Sequence, residues 1–157
     1  SYPRYTGDSL PYDHGVLAEI QQLKPSVITY GGYKPQWTFG FGLSYTSFEY
    51  SNLKLDKPVI GQSDTLKVSV DIKNTGDRDG HHAVDVYISD LYASLSPANR
   101  KLKRFTKTFL KAGESETITF KLTPDDLTFV NADLERVVEV GEFKVSIGNL
   151  SDTFNYQ

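Results

Sequence analysis

The run Leu66-Lys67-Val68-Ser69-Val70-Asp71-Ile72-Lys73 places an aliphatic side chain at every second position and a polar one between. Successive side chains of a strand point to opposite faces, so this period of two marks a strand with one dry and one wet face. The alternation recurs at Val84, Val86 and Ile88, at Ile118, Phe120 and Leu122, and at Phe143, Val145 and Ile147. Turn signals separate the runs: Asn74-Thr75-Gly76-Asp77, Ala112-Gly113-Glu114-Ser115 and Val140-Gly141-Glu142.

No long helical crossover intervenes, as parallel pairing would require. The pattern predicts an all-β chain over residues 47–157, in an immunoglobulin or fibronectin type III-like antiparallel β-sandwich of about seven strands. Strand order stays open. One region breaks its own parity: between Arg100 and Lys111 the apolar residues fall at Leu102, then Phe105 and Phe109. A slip of one position turns side chains to the other face, so a bulge or bend near Arg104 is expected. Phe105, Phe109, Phe120, Phe129 and Phe143 sit at core-like positions.

Residues 1–46 read as an irregular N-terminal extension. Pro3, Pro11, Pro25 and Pro35 alternate with Gly7, Gly15, Gly31 and Gly32, which interrupt regular elements. Val16, Ile20 and Leu23 suggest a short helix between Asp13 and Lys24. The extension runs into the sandwich through an aromatic stretch, residues 35–50, that reads as a connector and holds Trp37, Phe39, Phe41, Leu43, Tyr45, Phe48 and Tyr50. Connectors run over surfaces and are normally polar. An aromatic one is expected to fasten onto something, inside this chain or outside it. Trp37, Phe39, Phe41, Leu43 and Tyr45 are the expected docking residues.

The chain has 157 residues, 38% hydrophobic and 24% charged, which fits a packed globule rather than a disordered segment. A net charge of −3 argues against a phosphate-gripping nucleic-acid binder. No apolar run reaches the ~20 residues of a membrane span. Methionine is absent, so the chain is expected to be a piece of something longer. Cysteine is absent too, which removes disulfides, thiol nucleophiles and cysteine metal sites.

Reactive constellations are hard to find. Asp125 and Asp126 follow Thr123-Pro124 and read as a solvated turn, or one turn of helix. Gly42-Leu43-Ser44-Tyr45-Thr46 lacks the second glycine of a nucleophile elbow. His81 and His82 point to opposite faces and read as surface histidines, so no metal site is expected. His14, beside Asp13 and Tyr12, is the histidine with the more suggestive setting. Asp77-Arg78-Asp79-Gly80 lacks the ligand ladder of a calcium loop and reads as a hairpin turn. The cations Arg100, Lys101, Lys103, Arg104, Lys107 and Lys111 read as a guarded strand edge, with docking onto an acidic neighbour as the alternative. Asn149-Leu150-Ser151 is a glycosylation sequon of the kind frequent by chance. Tyr87 and Tyr92 are the candidates for stacking a sugar ring.

Several ordered landmarks resemble the C-terminal end of family 3 glycoside hydrolases, the β-glucosidase and β-xylosidase group. Ser1-Tyr2-Pro3-Arg4 and Tyr12-Asp13-His14 resemble the tail of that family's α/β-sandwich domain. Pro35-Gln36-Trp37, Phe39-Gly40, Gly42-Leu43-Ser44-Tyr45-Thr46 and Phe48-Glu49-Tyr50-Ser51 resemble its junction. Asn74-Thr75-Gly76, Val86-Tyr87-Ile88-Ser89-Asp90, Gly113-Glu114-Ser115, Asp126-Leu127 and Gly141-Glu142-Phe143 resemble its fibronectin type III-like domain. Arg104 and Val140 depart from it, where a glycine and a proline are common.

The resemblance implies that residues 1–46 are the tail of the preceding domain plus the connector, and 47–157 the sandwich. It implies a retaining, exo-acting β-glucosidase as parent, with no cofactor and with its catalytic carboxylates in other domains, so that this chain alone is inactive. The partners it implies are the parent's catalytic barrel and α/β-sandwich domains. Tyr12, Asp13 and His14 would then stand near the sugar cleft, and the compartment would be periplasmic or secreted. An independent carbohydrate-binding module for β-glucan or oligosaccharide is the competing reading.

Overall fold

The computed structural model describes residues 36–37, 40–95, 98 and 100–157. The expected helix after Asp13, and Tyr12, Asp13, His14 and Phe39, lie outside these. The chain divides into two compact units, Ser1–Leu43 and Ser44–Gln157. In the first, the described residues include Trp37 and Phe41, whose rings stack with centroids 6.3 Å apart.

The second unit is a β-sandwich. Its strands are β1 (Phe48–Leu55), β2 (Val59–Ile60), β3 (Leu66–Asn74), β4 (Gly80–Asp90), β5 (Lys101–Leu110), β6 (Ser115–Leu122), β7 (Phe129–Val130), β8 (Arg136–Val137), β9 (Gly141–Ile147) and β10 (Leu150–Tyr156). One sheet runs β1-β3-β6 and the other β2-β10-β9-β4-β5, with β7 and β8 as a separate pair. Pairing is antiparallel throughout except β2 with β10. Seven strands have seven or more residues, which is the sandwich the alternation predicted.

The alternating residues meet between the sheets. Leu66, Val68, Val70 and Ile72 of β3 and Leu122 of β6 are fully buried, facing Val84 and Val86 of β4 and Val145 and Ile147 of β9. Each such side chain contributes roughly 1.5–3 kcal/mol before chain entropy is subtracted. Phe143 and Phe154 pair across β9 and β10, with ring centroids 5.8 Å apart.

Strand β5 is continuous, and its irregularity lies where parity failed. Val86 pairs with Arg104 but Tyr87 pairs with Leu102, so Lys103 is the extra residue of a bulge. The bulge does not bury the expected phenylalanines. Arg104, Thr106, Thr108 and Leu110 alternate as the more buried set, leaving Phe105 and Phe109 exposed on the other face. Phe120 and Phe143 are buried as expected, and Phe129 partly so.

Tyr87 corrects a second expectation. It is only 8% exposed although it faces away from the core strands, because the Arg100 guanidinium lies 4.7 Å from its ring centroid. It therefore cannot offer a flat sugar platform.

Candidate functional site

The candidate site is the connector and the pocket of the sandwich that grips its end. Large apolar side chains follow one another here without burial: Trp37 and Phe41 are exposed, Leu43 is 92% and Tyr45 94% exposed. Water contact with large apolar side chains is unfavourable, and their exposure is a usual mark of an interaction surface.

Thr46, by contrast, is held closely. Its hydroxyl donates to Asn74 Oδ1 at 2.7 Å. A Cβ on Gly76 would come 2.2 Å from the Thr46 hydroxyl oxygen, and one on Gly80 would come 2.7 Å from its methyl. Only glycine leaves room for Thr46 at both positions. The next residue is tied as well, since Thr75 N–H donates to the Ser47 carbonyl at 2.8 Å.

Asn74 is the centre of this grip and is completely buried. Its Nδ2 donates to the Arg78 and Leu110 carbonyls at 2.7 and 3.0 Å. Its Oδ1 also accepts from Gly76 N–H at 3.1 Å. Its backbone N–H donates to the Glu114 carbonyl, and its carbonyl accepts from Gly113 N–H. Asn74 thus joins the connector, the β3–β4 turn and the end of β5 through its side chain, and the β5–β6 loop through its backbone. Sequence reading saw only a turn at Asn74-Thr75-Gly76-Asp77. The missed signal was an amide side chain at the last position of a strand whose other face-mates are all aliphatic.

Beyond Thr46 the first strand is clamped by aromatic contacts. Phe48 stacks on His82 at 4.3 Å, and Tyr50 Oη lies 2.6 Å from His82 Nε2. Burial pushes the Tyr50 hydroxyl up to about 12, with the Asp85 carboxylate adding to the shift. Burial lowers the His82 imidazole, against the opposing pull of Asp85. The Tyr50 ring also fills the space over Gly148, where a Cβ would come within 2.5 Å and φ is +59°. His82 is thus a packed residue and not the surface histidine expected. His81 is exposed on the opposite face.

Among the described residues the carboxylates are engaged one by one rather than as an acid–base pair. Asp126 corrects the reading of a solvated turn. It is 7% exposed, sits in the 3-10 turn Pro124–Leu127, and accepts from Thr123 N–H at 2.8 Å. Arg104 holds it with both guanidinium ends, at 2.6 and 2.7 Å. The departure at Arg104 therefore has a structural partner.

A recess of about 240 Å³ on the outer side of β3 and β6 brings Asp71 near Glu116. Hydrogen bonds from Thr117 and then Asn52 hold the Asp71 carboxyl below its ordinary value, and Glu116 accepts from Thr108. Asp71, held in its ionised form, is not poised to donate a proton, which a glycosidase acid must do. Burial raises the Asp90 carboxyl, while Glu139 spends one oxygen on Ser94 N–H and the other on its hydroxyl. Among the described residues no three His, Cys, Asp or Glu side chains form a metal-binding group, and no helix is long and apolar enough to cross a membrane.

Residues 82–151 match the model of the fibronectin type III-like domain. The chain is 46% identical to a β-xylosidase of Formosa agariphila over 73% of this chain and 16% of that protein. It is 39% identical to thermostable β-glucosidase B of Acetivibrio thermocellus, over 96% of this chain and 20% of that one. A periplasmic β-glucosidase of Salmonella typhimurium is 38% identical over 73% and 15%. Among solved structures, the β-glucosidase of Listeria innocua in complex with glucose superposes with a TM-score of 0.81 at 30% identity, covering 94% of this chain and 22% of that chain. The chain therefore spans a fifth or less of the length of these curated relatives.

Proposed function

We propose, from the fibronectin type III-like domain that this chain carries and its kinship with β-glucosidases and β-xylosidases of glycoside hydrolase family 3, that it is the accessory C-terminal segment of such a hydrolase. Its task is to pack on the parent's catalytic barrel and α/β-sandwich domains and stabilise them. We assign Trp37, Phe39, Phe41, Leu43 and Tyr45 to the docking strip, and to Tyr12, Asp13 and His14 a contribution to the parent's sugar cleft. The observation that carries this reading is the contrast within one short segment. Leu43 and Tyr45 stand almost wholly in water while Thr46, the next residue, is locked into the sandwich.

The parent is a retaining enzyme that removes terminal β-D-glucosyl or related residues without a cofactor. Its two carboxylates belong to other domains. The compartment is periplasmic or secreted, in keeping with the Salmonella relative.

The test is hydrolysis of an aryl β-glucoside by the parent and by this chain alone. The parent turns over and the chain does not. Turnover by the chain that a single Asp or Glu substitution abolishes would overturn the reading. Tyr92, 73% exposed, keeps a carbohydrate-binding module in view as the second reading. Titration calorimetry against a soluble β-glucan decides it: saturable binding lost in Tyr92→Ala favours that module, and no heat favours the accessory role.

A further inference from the structure

The outer face of β5 carries an aromatic strip that the connector does not explain. Phe105 and Phe109, 72% and 49% exposed, lie on one face of the strand. Four residues apart, they are separated by about 13 Å along it. Lys107 stands between them, and the His81 ring of β4 tilts against Phe109 with centroids 5.0 Å apart.

β5 is an edge strand in the described residues. Residues 100–111 hold six cations and no acid, in a chain whose net charge is −3. Arg104 is consumed by Asp126 and Arg100 by the Tyr87 ring. Lys101, Lys107 and Lys111 are exposed. Lysines alone are accounted for by the need to deter edge-to-edge pairing. Two large aromatic rings beside them are not, because a guarded edge needs charge and no apolar surface.

We infer that this strip is a second docking surface, and that its occupant is an acidic protein surface with an apolar centre on the remainder of the parent hydrolase. The inference rests on the reading of this chain as one segment of a longer enzyme. The relatives' greater length supplies the chain for such a partner, and the cation excess selects for carboxylates on it. A glycan fits less well. The face of Phe109 is encroached on by His81, and phenylalanine has no polar handle for sugar hydroxyls.

The experiment uses the full-length parent. Hydroxyl-radical oxidation of Phe105, Phe109 and Tyr45, and acetylation of Lys107, are timed in the native protein and in the same protein unfolded in urea. All four residues should react severalfold more slowly in the native protein. If Tyr45 is protected while Phe105, Phe109 and Lys107 react at the urea rate, the second surface is refuted and the accessory role stands. If Tyr45 is unprotected as well, both fall. If protection of Phe105 and Phe109 appears only on adding laminarin, the occupant is a glycan and the inference is overturned.

Discussion

The hydroxyl of Thr46 donates to Oδ1 of Asn74 at 2.7 Å, across 28 residues of sequence. This bond fixes the point at which an exposed aromatic connector becomes a packed strand. Because the Asn74 side chain serves three segments at once, loss of its amide should be felt far from the connector.

Asn74→Ala leaves the Arg78 and Leu110 carbonyls and the Gly76 N–H without their partner. Unsatisfied buried groups cost about 1–3 kcal/mol each before relaxation, so a loss of about 2–4 kcal/mol is expected in urea unfolding. Asn74→Asp should also destabilise, since it sets a carboxylate oxygen against two carbonyls. A loss of a few tenths of a kcal/mol for either variant contradicts the assigned network.

Gly76→Ala must push the Thr46 side chain out of its slot. Overpacking of this kind costs about 1–3 kcal/mol. Thr46→Gly in the same molecule should recover part of that loss, giving a coupling of about 1 kcal/mol in a double-mutant cycle. Additive effects would show that the two residues do not share the space.

Arg104→Ala strands the buried Asp126 carboxylate, and a loss of about 2–3 kcal/mol is expected, tempered by the exposed side of the guanidinium. Lys57 and Asp64 form a pair at 2.5 Å that is open to solvent on both sides, so Lys57→Ala should leave stability nearly unchanged. Equal losses at the two sites would contradict the role given to burial.

His82 supplies a pH dependence with a definite sign. Burial lowers its pKa in the folded chain below the 6.5 of the free side chain, so the unfolded chain takes up the proton first. Its contribution is present above the unfolded value and fades as pH falls from there through the folded one. Tyr50 and Phe48 face the ring, and the charge of the Asp85 carboxylate moderates the effect. Thermal midpoints between about pH 7.5 and 5 should fall less steeply in His82→Gln than in the parent sequence. Superimposed profiles would show that the imidazole stays solvated.

The sheets were legible because Val68, Val70 and Ile72, or Val145 and Ile147, repeat with the period of a strand whose far side is wet. Tyr87 and Phe105 escaped the same rule for opposite reasons. Arg100 covers an outward ring that alternation assigns to solvent, whereas Phe105 alternates out of phase with the buried Leu110, and the bulge at Lys103 turns Leu102 outward beside it. Asp126 was misread because a turn sequence carries no trace of the cation reaching it from β5. The connector was recognisable as unusual from composition alone. Its anchor was not, since the fit of Thr46 between Gly76 and Gly80 exists only after the chain has folded.

Scanning calorimetry of the full-length parent, with and without Trp37→Ser, Phe41→Ser and Tyr45→Ser together, addresses the docking claim most directly. The unaltered protein should unfold in one transition that includes the sandwich. The triple variant should split into a separate sandwich transition and an earlier-melting catalytic body. An unchanged single transition, with activity lost no faster on heating, would contradict the fastening role of these side chains.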